Sequence, residues 1–333
     1  MQNIEIAVYA AISAALFFDF VNGFHDSANS IATVVGTRVL RPLYAVGIAA
    51  IANFAGPFIF GTAVAATVGK GIIQPSFSTV DVIFAGLIGA IIWNLITWYF
   101  GLPSSSSHAL IGGLIGSALI AGGSSALIYS GIEKTLIFIV VSPTLGFISA
   151  IGIAIAVMYF FRNQASSHVN RIFGRLQIAS SLFFSLTHGA NDGQKTMGVI
   201  TALLIAGGII DSESFIVPLW VILASAFAIA LGTFFGGWRI VKTMAFKLTS
   251  LRPYQGFCAE TGGGVILTSM AWLGIPVSTT HAIAGAIMGV GATKRLSAVR
   301  WGVGKRIVYA WIITIPASAA VAAVVLIIIE ALF

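Results

Sequence analysis

The sequence predicts an all-α polytopic membrane protein made of two inverted-topology repeats, with discontinuous helices and re-entrant hairpins at two Pro/Ser-Thr segments. Three observations carry this prediction: an apolar composition, basic residues gathered into a few loops, and a pair of motifs that occurs twice in the same order.

Composition sets the solvent. Of the 333 residues 58% are hydrophobic and 8% charged, and the mean hydropathy is +1.01; soluble domains carry about 25% charged residues. A spanning helix needs about 20 apolar residues. The stretches Leu43–Val68, Val82–Phe100, Thr135–Phe161, Phe215–Gly237, Phe257–Leu273 and Ile307–Leu332 qualify. They are continuous and lack period-two alternation, which argues for helices over barrel strands. The first apolar segment, from Ile4 to Val21, has no basic leader and no small-residue cleavage site, so it reads as a retained helix. The single cysteine, Cys258, has no thiol partner for a disulfide or a metal site and reads as a small core residue.

A net charge of +7 raises the question of nucleic acid, but the charges mark membrane orientation instead. Four loops, carrying Arg38 and Arg41; Arg162, Arg171 and Arg175; Arg239, Lys242, Lys247 and Arg252; and Lys294, Arg295, Arg300, Lys305 and Arg306, hold fourteen of the 17 Lys and Arg residues. The other loops carry Lys70 with Asp81, Glu133 with Lys134, and the acidic pair Asp211 and Glu213. Placing the basic loops in the cytoplasm puts both termini outside. The segments flanking Pro103 and Pro276 then return to the side they left, either as re-entrant hairpins or through an even number of crossings.

The chain contains itself twice. GFHDSANS at Gly23–Ser30 returns as GANDGQKT at Gly189–Thr196, and GLPSSSSHALIGGLIG at Gly101–Gly116 returns, in register, as GIPVSTTHAIAGAIMG at Gly274–Gly289. On the charge-derived path the first copy, residues 1–161, enters from outside and the second, 178–333, from the cytoplasm after a polar, basic connector over 162–177. Inverted repeats with interrupted helices point to a secondary transporter with a midplane site.

Asp26 and Asp192 hold equivalent places in the two copies, and an aspartate at membrane depth costs about 2.5–3.5 kcal/mol on insertion scales. Gly23, Gly189 and Gly193 allow an unwound backbone whose carbonyls, with the carboxylates and Asn29, offer the oxygen ligands that Na⁺ prefers. The second element is Pro103 with Ser104, Ser105, Ser106 and Ser107, matched by Pro276 with Ser278, Thr279 and Thr280. Proline suits a first helical turn and hydroxyls suit its cap, so each cluster makes a helix N-terminus that attracts anions. Two such ends are able to grip a tetrahedral oxyanion from both sides. Gly112/Gly116 and Gly285/Gly289 read as close-packing faces. His108 and His281 read as hydrogen-bonded structural residues or as proton carriers. Glu260 stands where the first copy has Leu87, and is a candidate cation ligand. Asn53 and Asn94 read as helix-to-helix amides. Lys195 lies where the first copy has Asn29, and either balances the carboxylates or snorkels to the cytoplasm.

With these residues in view, the chain resembles the inorganic phosphate transporter (PiT) family, whose hallmark is a duplicated GANDxANA-like sequence. Here it stands as Gly23-Phe24-His25-Asp26-Ser27-Ala28-Asn29-Ser30 and Gly189-Ala190-Asn191-Asp192. The first copy departs at Phe24 and His25, and the second continues as Gly193-Gln194-Lys195. The resemblance implies a prokaryotic phosphate symporter in the cell membrane, driven by Na⁺ or H⁺, with Asp26, Asp192 and Glu260 at the family's acidic positions and a homodimer as the assembly. The expected phosphate set is Ser104, Ser105, Ser106, Ser107, Ser278, Thr279 and Thr280 with Asp26, Asp192 and Gln194. The expected sodium set is Asp26, Asn29, Asn191, Asp192 and Glu260 with Gly23 and Gly189. No cofactor is implied beyond the transported phosphate and Na⁺, and no nucleic acid partner.

Phosphate is preferred to sulfate because phosphate retains a proton at neutral pH and a carboxylate can accept it, whereas a carboxylate repels fully ionised sulfate. A sulfate or related oxyanion permease is the alternative, and an anion channel a lesser one, since a channel needs no duplicated machinery. An enzyme is disfavoured: Ser107 and His108 are adjacent on a helix and point about 100° apart, and no G-x-S-x-G elbow is present.

Overall fold

The computed structural model describes residues 2–211 and 215–332, with side chains from residue 5 onward; Glu213 lies outside the described residues. The described chain forms helices α1 (Gln2–Gly36), α2 (Pro42–Phe60), α3 (Ala63–Lys70), α4 (Val80–Phe100), α5 (Ser106–Gly122), α6 (Tyr129–Phe160), α7 (Ser166–Ala206), α8 (Leu219–Phe235), α9 (Trp238–Lys242), α10 (Pro253–Trp272), α11 (Thr279–Ala292) and α12 (Trp301–Leu332). A π turn over Thr243–Lys247 extends α9. The order runs twice: α1 to α6 correspond to α7 to α12, and even the prolines inside the long sixth helices, Pro143 and Pro316, keep the same spacing as Pro103 and Pro276.

Six of the described helices are long and apolar enough to cross a membrane, and the bent pair α8/α9 with its π turn makes a seventh. The apolar run Leu43–Val68 is two helices, not one span: the chain breaks at Gly61, whose φ of 76° lies in the left-handed region. The expected connector over 162–177 is helical from Ser166 on, because α7 continues straight through it.

Packing crosses between the copies. Helix α5 lies on α12 and α11 lies on α6, while α2 lies on α7 and α1 on α8. The expected glycine faces make these contacts possible. A Cβ at Gly112 or Gly116 would collide with the Ile315 or Ala319 carbonyl of α12, and one at Gly285 or Gly289 with the Pro143 or Phe147 carbonyl of α6.

The basic loops gather at one end of the bundle. The Gly174 backbone neighbours Val39, Arg162 and Arg252 line one cavity, the Arg300 Nη1 donates to the Phe246 carbonyl at 3.1 Å, and the Lys294 Nζ to the Ser250 carbonyl at 3.1 Å. At the other end Lys70 lies 5.2 Å over the Phe215 ring and Ile73 pairs with Leu127.

Two hairpins, α4–α5 and α10–α11, start from these opposite ends. In the first, Gln74 N–H bonds the Ala126 carbonyl at 2.9 Å, so both feet share the Lys70 end. In the second, Gln255 Nε2 donates to the Val290 carbonyl at 2.9 Å, so both feet share the basic end. Each tip turns at a left-handed glycine, Gly101 (φ 64°) and Gly274 (φ 65°), which L side chains rarely tolerate. The apolar core is correspondingly split in two. One cluster contains Val8–Val21 positions of α1 and Met197–Leu204 positions of α7; the other contains Ala28–Val35 positions of α1 and Phe184 of α7. Between them lies a buried polar layer.

Candidate functional site

The polar layer is where the middles of α1 and α7 meet the starts of α5 and α11. Both long helices run unbroken through it. The unwinding expected at Gly23 and Gly189 is therefore absent, and their carbonyls lie within regular helix. These glycines serve close approach instead: a Cβ at Gly23 would strike the Ile229 carbonyl, and one at Gly189 the Asn53 carbonyl. Gly193 is likewise helical.

Helices α5 and α11 begin alike. Ser105 caps α5 by accepting the His108 N–H at 3.2 Å, and Ser278 caps α11 by accepting the His281 N–H at 3.2 Å. Pro103 and Pro276 precede these caps and do not occupy the first helical turn expected of them; the hydroxyl residues take that position. The rings of His108 and His281 meet edge to face at 4.6 Å, so the two helix starts face each other.

The aspartates lie between them. Asp26, Asp192 and His188 each present a ligand atom within 4.8 Å of the others, and all three are buried. Asp26 Oδ1 is 2.6 Å from the His25 Nδ1, whose other ring nitrogen is 3.0 Å from Thr97 Oγ1 and 3.3 Å from Ser104 Oγ. Ser104 itself donates to Thr97 at 2.8 Å. Asp192 Oδ1 accepts from the Lys195 ammonium at 2.5 Å, and Oδ2 accepts from Thr279 at 2.9 Å with His188 Nε2 at 3.2 Å. The same ammonium donates to Ser107 and, at 2.8 Å, to the Val277 carbonyl. Lys195 is 2% exposed, so it balances Asp192 and does not snorkel. Asn29 donates to Thr280 at 2.9 Å and reaches Thr279 at 3.3 Å.

Several buried atoms in this layer have no partner among the described residues: Ser106 Oγ, Asn29 Oδ1, Asn191 Oδ1 and His108 Nδ1. Asn191 uses its amide nitrogen on the Thr187 and Leu267 carbonyls, at 2.9 and 3.2 Å. An unsatisfied buried polar atom costs about 1–3 kcal/mol, so a cluster of them at the α5 start and the middles of α1 and α7 favours a polar or charged guest.

Two expected residues have partners of their own. Gln194 Oε1 accepts the Val64 N–H at the start of α3 at 2.8 Å, while its Nε2 is buried with no partner among the described residues. Glu260 forms a separate site, accepting from Thr33 at 2.5 Å, from Gln177 at 3.1 Å and from Ser180. Thr33 follows Asp26 by two turns of α1, about 10 Å along the helix. Asn53 does bond between helices, donating to Thr233 at 2.8 Å, but the Asn94 amide has no partner among the described residues.

The sequence reading missed His25, His188, Thr97, Thr33, Gln177, Ser180 and Asp19. Asp19 is fully buried in α1, two turns before Asp26, beside Asn22 and Thr196. Its signal was a carboxylate inside the first apolar segment; His25 and His188 stand in or beside the aspartate motifs and Gln177 ends the polar connector, while Thr33, Thr97 and Ser180 are hydroxyls with nothing local to single them out.

With this geometry in hand, residues 22–322 match the PHO4 phosphate transporter family. A protein of Rhizobium meliloti (strain 1021) named "Probable low-affinity inorganic phosphate transporter" is 56% identical over 94% of this chain and 93% of its own length. A Bacillus subtilis (strain 168) protein of the same name is 42% identical over the whole of both chains. Among solved structures, one titled "The sodium-dependent phosphate transporter" superposes with a TM-score of 0.87 at 27% identity, covering 98% of this chain and 100% of that one.

Proposed function

Because the chain belongs to the phosphate transporter family, we propose that it imports inorganic phosphate together with Na⁺, by alternating access between two inverted halves. The observation that carries this reading is the meeting of two capped helix starts with Asp26 and Asp192 in one buried layer.

The anion faces the starts of α5 and α11. There, free N–H groups, the positive ends of the helix dipoles and the Ser106 and Thr280 hydroxyls supply donors, while Thr279 donates to Asp192. A carboxylate repels an anion, so the cation sits between them, on Asp26, Asn29 and Asp192, and each cargo lowers the cost of the other. Phosphate carrying a proton also donates to a carboxylate, which sulfate at neutral pH does not. His25 and His188 orient the two carboxylates by holding one oxygen of each. Glu260, ringed by three donors about two helical turns away, is a second cation station on the basic side.

The inverted halves follow from the hairpins: α4–α5 stands on one end of the bundle and α10–α11 on the other, so rocking one half against the other exposes the layer to alternate sides. On this reading the hairpins are re-entrant, the basic end is cytoplasmic, both termini are outside and two copies of the chain form the dimer that the resemblance implies.

The test is phosphate uptake into proteoliposomes under an imposed Na⁺ gradient, then under a pH gradient alone. Uptake is expected with the first; equal uptake without sodium would overturn the choice of cation, and sulfate uptake at the same rate the choice of anion. A cysteine placed at Ser297 is expected to resist an impermeant thiol reagent in sealed cells.

A further inference from the structure

Around the aspartates the two copies differ at several positions, among them His25 against Asn191 and Asn22 against His188, and one of the differences introduces a lysine. Lys195 holds in the second copy of the aspartate motif the place that Asn29 holds in the first. Its partners Val277 and Ser107 are, in the aligned Pro/Ser-Thr segments, the counterparts of Ser104 and Thr280. Asn29 bonds Thr280, and Lys195 bonds Ser107: the same junction is built twice, once with an amide and once with an ammonium.

An ammonium has three donors and no acceptor. Lys195 places all three, on Asp192 Oδ1, Ser107 Oγ and the Val277 carbonyl. Three oxygens around one buried positive charge is also the ligand chemistry of a small monovalent cation. On the first-copy side the equivalent space holds Asp26, Asn29 and Thr280, and no lysine. Asn29 Oδ1 and Ser106 Oγ have no partner there among the described residues, while Thr279, the counterpart of Ser106, is satisfied by Asp192.

We propose that the Lys195 ammonium is a tethered cation, fixed where the duplication would otherwise form a second mobile cation site, so that the transporter carries one cation fewer per phosphate than a symmetric machine would. This rests on the cation-coupled reading above. Between the aspartates the mobile cation is then held mainly from the Asp26–Asn29 side, with Asp192 shared with the tether and Glu260 a station apart. Asp192 keeps its countercharge through the whole cycle, and the electrical work per phosphate falls by one charge.

The test compares the wild type with Lys195→Asn, which restores the residue of the first copy, and with Asn29→Lys, which copies the tether onto the other side. In proteoliposomes, the ratio of ²²Na⁺ to ³²P-phosphate taken up is expected to rise by about one in Lys195→Asn, with the Hill coefficient for sodium rising alongside it. Asn29→Lys is expected to lose sodium dependence at that side. An unchanged ratio in a transporting Lys195→Asn protein overturns the proposal. If that variant does not transport, the thermal stabilisation by NaCl over N-methylglucamine chloride at equal ionic strength is compared between it and the wild type in detergent: a larger sodium-dependent shift in the variant supports a vacated cation site, and an equal or smaller shift rejects it. A wild type that ignores sodium speaks against the sodium reading itself; the tether is then judged by the change in protons per phosphate between wild type and Lys195→Asn.

Discussion

The hairpin pairs α4–α5 and α10–α11 share a glycine turn, a serine cap, a histidine at the same step and a stripe of glycines on a long helix, yet their surroundings differ in charge. Asp192 carries a lysine that reaches both hairpin tips, at Val277 before α11 and at Ser107 of α5; Asp26 carries a histidine, with open oxygens at Ser106 and Asn29. The carboxylate clusters differ too, since Glu260 in α10 corresponds to the apolar Leu87 in α4. The scaffold is thus kept by backbone contacts that tolerate little change. The chemistry is set by side chains that project from it, where one substitution alters the charge of half the site without moving a helix.

The largest way to break this comparison is at the aspartates. Asp192→Asn leaves the buried Lys195 ammonium without its counter-ion, and such a loss costs about 3–5 kcal/mol. Asp26→Asn removes a carboxylate whose partner is a histidine, for about 1–3 kcal/mol. Denaturation in detergent is expected to show the second-copy variant clearly less stable, while both lose gradient-driven accumulation in vesicles. Equal stabilities would mean that Lys195 is not fixed to Asp192.

A smaller contrast lies in the hydroxyls. Ser106 has no protein partner among the described residues and is free for the anion, whereas Thr279 already donates to Asp192. Equilibrium binding of phosphate at saturating sodium is expected to weaken by about 1–3 kcal/mol in Ser106→Ala, and by less in Thr279→Ala. The reverse order would place the anion on the α11 side.

The glycine stripes sharpen the comparison from the structural side. Gly116→Ala and Gly289→Ala each push a methyl into a carbonyl of the opposing long helix, and overpacking of this kind costs about 1–3 kcal/mol. The approach is closer at Gly116, so its variant is expected to melt lower. Last, Ser105→Ala and Ser278→Ala each remove one helix cap, worth about 1 kcal/mol. Their melting temperatures are expected to fall equally, and a marked inequality would show that the two helix starts are not equivalent in the folded protein.

Much of this is legible in the chain before any fold is known. Hydropathy over a spanning-length window fixes membrane class, because each helix must satisfy its own backbone in lipid. Recurrence of both motifs in the same order exposes the duplication, Asp26 and Asp192, and both hydroxyl clusters. The errors share one cause. Glycine permits unwinding and close approach alike, and only the presence of Ile229 against Gly23 and of Asn53 against Gly189 selects the second. The motif alone names Gln194, and the structure adds that its Oε1 caps α3 while its Nε2 is buried without a partner among the described residues.

The sequence by itself determined the solvent, the helical class, the twofold plan and the groups able to carry charge, all of which are properties of local composition or of self-comparison. Only the tertiary structure decided which groups meet: Asn29 with Thr280, Thr33 with Glu260, Lys195 with Ser107. These pairs join residues 88 to 251 positions apart. Their meeting depends on how α1 and α7 pass the two hairpin tips, and that crossing is set by close contacts of glycine faces from opposite copies: the local spacing marks the faces, but not the helix each one meets.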